Sequence, residues 1–411
     1  MVKHNVLLVS LAFPPGNDSE SLQVAKYVKY LLRTNRFHVD VITRLGESRG
    51  APRDQSIADL ANGTRQIVRV GYAANRYVRF LLRKLLPWMA RKPDLEFAFV
   101  RKWAWAAQQL HCRPDVIYSR SFPISSTLMA YELSKHFNTP WILHLSDPWT
   151  ISPIHSVKFA KNWNDRSELH CFKQASFLSF TSLETLKRYA VKYPQFEGKM
   201  VIYPNVYDEE GATYLPWEKS IKLKIVHTGG LVNKRNPISL IRAIELLQKT
   251  DPKIVDDLDI SFAGQLDFET KKLFSKLEVP INHVGNLPFL KAMQLQASAD
   301  ILMLFDYDFK KSEDALFFPS KLLDYMLMRR RVLAITNTNS TSWRVMHDQR
   351  LGDCFTHQDV LGLANSLKSA WNAWNENRRD YFELPPADTA FAASTNALRL
   401  SEDLLGVCNE E

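Results

Sequence analysis

Two apolar runs, ADILMLFD at residues 299–306 and RVLAIT at 331–336, are separated by a stretch that includes FFPSKLLDYMLMRR at 317–330. Both runs are short and rich in aliphatic residues, as strands buried on both faces of a parallel sheet are. Parallel neighbours cannot be joined by a tight turn, so the intervening stretch has to supply a helix. Pro319 marks its start. Ser320 and Lys321 then fall in the first turn, where backbone N–H groups without helical partners attract anions. Asp324 follows one turn further in, on the same face as Lys321.

The same alternation runs outward in both directions. Upstream, NVLLVSLAF, FHVDVIT, PDVIYSRS, PWILHLSD, SFLSFTS and KMVIYPN read as strands, most of them separated by segments of helical spacing. After YDEEGATYLPWEKS (207–220) the pattern restarts with LKIVHTGG, DLDISFAG, INHVGN, ADILMLFD, RVLAIT and GDCFT. The expected architecture is α/β with two Rossmann-like domains: residues 1–215, completed by a C-terminal helix at 388–411, and residues 216–387. Ligand is expected in a cleft at the carboxyl ends of the strands.

Composition narrows the classes. The chain has 411 residues, 45% of them hydrophobic, enough for two folded cores. The N-terminal apolar run stops at Pro14, too short to span a bilayer, and reads as a first strand. Four cysteines without a CxxC pair point to neither a zinc site nor a disulfide framework, and a cytoplasmic location is expected. The net charge of +9 calls for an anionic partner. With 44 acidic residues interspersed and no nucleic-acid-binding motif, nucleic acid is not expected to be that partner. Neither a GxGxxG fingerprint nor a GxxxxGK[ST] phosphate loop occurs, which argues against dehydrogenases and nucleotide triphosphatases.

The ordered segments LVSLAFPPG, PDVIYSRSFPISS, PWILHLSDPW, VIYPN, IVHTGGLVNKRNPISLIRAI and FFPSKLLDYM resemble the retaining GT-B glycosyltransferases of family 4, especially bacterial enzymes of surface-polysaccharide assembly. The resemblance implies transfer of a sugar from a nucleotide diphosphate donor to an acceptor hydroxyl, the acceptor being a polysaccharide or lipid-linked glycan. It places Gly229, Lys234, Arg235, Ser320 and Lys321 at the donor diphosphate and Asp324 at the ribose, and counts Gly16, in the loop after the first strand, among the donor-binding residues. Planar guanidinium chemistry suits such a phosphate contact. The glycine loops FAGQ (262–265) and HVGNLP (283–288), the latter carrying Gly285 and Asn286, are expected to approach the base.

The chain departs from the family pattern in two places. Leu316 stands eight residues before Asp324 where a first glutamate is usual, with Glu313 and Asp314 nearby, and Gly230 stands where many relatives carry a basic residue. A catalytically silent scaffold is therefore an alternative. His144 and Asp147 in HLSDPW are the candidate catalytic residues; His144 as a base would suit an inverting transferase or an epimerase. Ser119, Arg120 and Ser121 are candidates for the acceptor side. No cofactor or essential metal is expected. Residues 75–92, with Arg76, Arg79 and Arg83 among Val78, Leu81, Leu82 and Leu85, read equally well as a packed surface helix or as an interfacial helix on the inner face of the cytoplasmic membrane.

Overall fold

A computed structural model describes residues 3–46, 53–72, 84–85, 92–153, 160–211, 214–232, 235–276 and 281–409. Among the described residues thirteen strands form two wholly parallel sheets. In the first unit these are β1 (His4–Val9), β2 (Phe37–Arg44), β3 (Gln66–Val70), β4 (Val116–Ser121), β5 (Trp141–Leu145), β6 (Phe177–Phe180) and β7 (Met200–Ile202), in the order β3-β2-β1-β4-β5-β6-β7. The second unit has β8 (Leu223–Thr228), β9 (Leu258–Ala263), β10 (Ile281–Gly285), β11 (Ile301–Phe305), β12 (Arg331–Ile335) and β13 (Gly352–Phe355), in the order β10-β9-β8-β11-β12-β13. All six runs read as strands in each half are strands. β3 was not anticipated: QIVRV is an edge strand, and Ile67 is 40% exposed, so it lacks the continuous apolar run of its neighbours.

Each sheet reverses its strand order once, between β1 and β4 and between β8 and β11. Such a reversal splays the connections to either side and leaves a crevice at the carboxyl ends of the two strands. The five residues of β11 are fully buried, which is what two helical layers over a central strand require.

The first unit comprises residues 1–206 and 392–411 and the second residues 207–391, whereas the sequence reading set the divisions at 215 and 387. Tyr207 N–H donates to Phe391 C=O at 3.0 Å, so the chain enters and leaves the second unit side by side. The helix Ala393–Asn409 lays Ala397, Leu400 and Leu404 against Val24, Tyr27, Val28 and Leu31 of the helix Ser19–Arg33, closing the N-terminal core. That first helix begins at Asp18, whose carboxylate accepts from Ser21 N–H at 2.9 Å.

Helix Lys321–Met328 follows Ser320 and ends on Arg329 in the left-handed region, φ 55°. Arg330 is buried and donates to the carbonyls of Ala297, Ala299 and Leu215 at 2.9–3.0 Å. Arg331 pairs with Asp353 at 2.9 Å.

Candidate functional site

The C-terminal unit gathers charge at the reversal between β8 and β11. Lys321 leads its helix back over the end of β8, and its Nζ lies 3.5 Å from His227 Nε2. The other ring nitrogen of His227, Nδ1, is 2.8 Å from Met303 C=O, which can only accept; Nδ1 therefore carries the proton and Nε2 offers a lone pair to Lys321. Burial, and then the Lys321 charge, hold His227 well below the usual histidine range. Tyr325, one turn after Lys321, locks the helix in place: its hydroxyl accepts from Thr228 N–H at 3.1 Å and donates to Met303 C=O at 3.2 Å.

Burial pushes Lys321 down to about 7, with the Arg235 charge acting in the same direction and Asp306 and Asp324 opposing both. Arg235 lies over the Tyr307 ring, 4.4 Å from guanidinium carbon to ring centroid, and its Nε is buried without a hydrogen-bond partner. Asp306 directly follows β11 and accepts from Thr336 Oγ1 at 2.8 Å. Two cations thus converge on one strand end, and the cost that burial imposes on the Lys321 charge is one an arriving anion would relieve.

Glycines make the approach possible. Gly229 has φ +114° and Gly264 φ +133°; a Cβ on Gly264 would lie 2.4 Å from Gly229 C=O. Gly229 N–H donates to Ala263 C=O and Gly264 N–H to Gly285 C=O, both at 2.7 Å. Three adjacent strand ends, those of β8, β9 and β10, are thereby bared of side chains in one row. Asn286 next to them is exposed.

The structure brings Gly229, Arg235, Lys321 and Asp324 together, with Ser320 at the helix start and Gly285 along the row; Lys234 lies outside the described residues. Gly16 and His144 with Asp147 belong to the other unit. Leu316 is buried, 4% exposed, whereas Glu313 is exposed. His227, Asp306, Tyr307 and Tyr325 were missed by sequence reasoning, although each of the first three stands at or just beyond a strand's end. His357, just past β13, has both ring nitrogens buried without partners, and its C=O accepts from Ser239 in the first turn of helix Ile238–Thr250.

In the N-terminal unit His144 is fully buried within β5. Its Nδ1 lies 2.9 Å from Ser179 Oγ and its Nε2 3.4 Å from Thr181 Oγ1, and burial followed by the Arg120 charge lowers its pKa. Ser119, Arg120 and Ser121 are equally buried; Arg120 pairs with Glu20 at 3.0 Å, and Glu20 also accepts from Ser146 at 2.7 Å. The segment 75–92 lies outside the described residues apart from positions 84, 85 and 92. Among the described residues no cluster of histidine, cysteine and carboxylate side chains is placed to hold a metal, and no helix is long and apolar enough to cross a membrane.

No family model matches the chain, and no curated protein matches it in sequence. Its architecture does have solved counterparts. HepE from Anabaena, in complex with UDP and glucose, aligns over 98% of this chain and 100% of its own with a TM-score of 0.65 and 15% identity. An α,α-trehalose-phosphate synthase (UDP-forming) from Burkholderia vietnamiensis aligns over 100% of both chains, TM-score 0.65, 12% identity. The chain has the GT-B fold. A Listeria monocytogenes structure described as a UDP-N-acetylglucosamine 2-epimerase also shares it, with a TM-score of 0.62, 9% identity and 100% of this chain and 98% of its own covered. In GT-B terms, the cationic cluster occupies the strand-order reversal of the C-terminal Rossmann-like unit.

Proposed function

We propose that the chain transfers a glycosyl group from a nucleoside diphosphate sugar to an acceptor hydroxyl, with retention of anomeric configuration and with a lipid-linked or polysaccharide glycan as acceptor. The observation that carries this reading is the convergence of the partly buried Lys321 with Arg235 at a strand end stripped of side chains by Gly229 and Gly264. A leaving diphosphate needs fixed positive charge that is worth more in a dry site than in water. The lysine and arginine supply that charge, while the glycine row lets backbone approach a planar base. UDP in the complex of the HepE counterpart supports a uridine donor.

Retention draws support from His144. A ring sealed inside the sheet, with both nitrogens engaged, is poorly placed to take a proton from an acceptor. Under retention the leaving phosphate oxygen takes that proton on the same face, and the protein's part is to orient and to neutralise. The buried Leu316 favours a second reading, a nucleotide-binding scaffold without transfer, because an aliphatic side chain stands where the resemblance puts a sugar-binding carboxylate.

Calorimetry with UDP, GDP and ADP names the base, and K321M and R235A should each abolish that binding. Incubation of the matching nucleotide sugar with glycan acceptors, followed by nuclear magnetic resonance of the product anomer, then separates the readings. An α-linked product from an α-linked donor supports retention; binding without release of nucleoside diphosphate supports the scaffold; a free epimerised sugar supports neither. For the segment 75–92, flotation with anionic vesicles should be lost in an R76E/R79E/R83E variant if it anchors the enzyme to a membrane.

A further inference from the structure

In the N-terminal unit a buried arginine holds a carboxylate at the carboxyl end of the sheet. Arg120, the next-to-last residue of β4, is fully buried, and its Nε donates to Glu20 Oε1 at 3.0 Å. Glu20 stands in the first turn of the helix that follows β1, and the Arg120 guanidinium carbon lies 4.8 Å from the centre of the Tyr27 ring on that same helix. Ser146, the residue after β5, donates from its hydroxyl to the same Oε1 at 2.7 Å. The carboxylate thus joins the helix after β1 to the ends of β4 and β5, across the point where strand order reverses. Crevices at such reversals are where open α/β sheets take their ligands.

The support beneath it is fixed. Ser146 N–H donates to Ser121 C=O, Ser146 C=O accepts from Thr181 Oγ1 at 2.9 Å, and Thr181 Oγ1 lies 3.4 Å from His144 Nε2. Both hydrogen bonds to Glu20 go to Oε1. Among the described residues no group donates to Oε2, and the Glu20 side chain keeps 13% of its surface exposed. Paired with a buried cation, this carboxylate can only accept.

We infer that Glu20 Oε2 accepts a hydrogen bond from a hydroxyl of the acceptor sugar and selects a neutral, hydroxyl-bearing acceptor end. A hydroxyl suits it better than a phosphate does, because an anion would meet the Glu20 charge while Arg120 is sealed below. Hydrogen bonds to an ionised acceptor are about twice as strong as those between neutral groups. With Oε1 anchored, Oε2 is already aimed, so the ligand does not have to order the side chain. Only the word acceptor rests on the transferase reading; a sugar-hydroxyl contact at Glu20 does not.

Saturation-transfer nuclear magnetic resonance on the full chain tests this, with methyl α-D-glucopyranoside, methyl α-D-mannopyranoside and methyl β-D-galactopyranoside as probes and calorimetry with UDP beside it. At least one glycoside should bind the wild type. E20Q should weaken it by about tenfold or more and leave UDP affinity unchanged, whereas K321M should abolish UDP binding and spare the glycoside. E20Q deprives Arg120 of its counter-charge, so E20Q/R120M, which removes both charges from the pair, serves as the second variant; it should fold and lose the glycoside equally. Glycoside binding that E20Q/R120M retains, with only the melting temperature altered in E20Q, makes the pair purely structural and overturns the inference. So does a wild type that binds UDP and none of the three glycosides. Loss of UDP binding in E20Q overturns it too, by moving Glu20 to the donor. A wild type that binds a glycoside through Glu20 but no UDP sinks the transferase reading and leaves the hydroxyl contact standing.

Discussion

Lys321 occupies the space that a side chain on Gly229 would need: a Cβ there would lie 2.3 Å from Nζ and 2.8 Å from Cε. The absent side chain and the partly buried ammonium are therefore one device. Gly229→Ala should displace the lysine and also strain a backbone held at φ +114°, at a cost of about 1–3 kcal/mol. Nucleotide affinity should fall at least tenfold with the fold retained, as read by calorimetry beside circular dichroism. Unchanged affinity would show that Lys321 does not hold the diphosphate.

The depressed pKa of Lys321, about 7 against an ordinary 10.5, sets a pH dependence with opposite signs for the empty and the liganded protein. Between those values the unfolded chain binds more protons at this position than the folded chain, so the unliganded protein gains stability as pH rises through that window. Diphosphate needs the ammonium, so affinity should fall as pH rises above about 7, by up to about tenfold per unit while the lysine must gain a proton on binding. Titration in two buffers of different ionisation enthalpy should show proton uptake in the wild type. A pH-independent affinity would remove the lysine from the contact.

Glu168 is fully buried and accepts from Thr150 N–H, Tyr189, Tyr193 and Lys192 at 2.8–3.1 Å. Tyr189 in turn accepts from Trp149 N–H at 2.8 Å, so this carboxylate holds the segment just after Asp147 and Pro148. Glu168→Ala strands several buried donors and should cost about 3–5 kcal/mol, with Glu168→Gln less severe. Urea unfolding followed by tryptophan fluorescence checks it. A shift below about 1 kcal/mol would mean that the network is dispensable.

His144→Asn should lower stability more than it lowers turnover, because the ring is bonded to Ser179 and Thr181 inside the sheet. The expected loss in kcat is under about tenfold, with no change in the pH profile between about 6 and 8. A general base would cost about 10² to 10⁴ and would take the profile's acid limb with it.

Twelve of the thirteen strands found among the described residues were legible in the sequence, the central ones because a strand buried on both faces must be apolar throughout, and Pro319 with the spacing of Lys321 and Asp324 announced the helix that carries the candidate site. β3 was not read as a strand: QIVRV is short and breaks its apolar residues with Arg69. The sequence shows Arg330 within a run of charge and not the carbonyls of Ala297, Ala299 and Leu215 that make its burial tolerable. The sequence by itself thus determined a twice-repeated parallel α/β pattern and the identity of the cations. Tertiary structure alone decided that Lys321 lies against His227 and Gly229, that Arg235 lies over Tyr307, and that Arg120 pairs with Glu20. Those pairs are 94, 92, 72 and 100 residues apart along the chain, and no local periodicity reaches across a sheet; strand order and loop closure do.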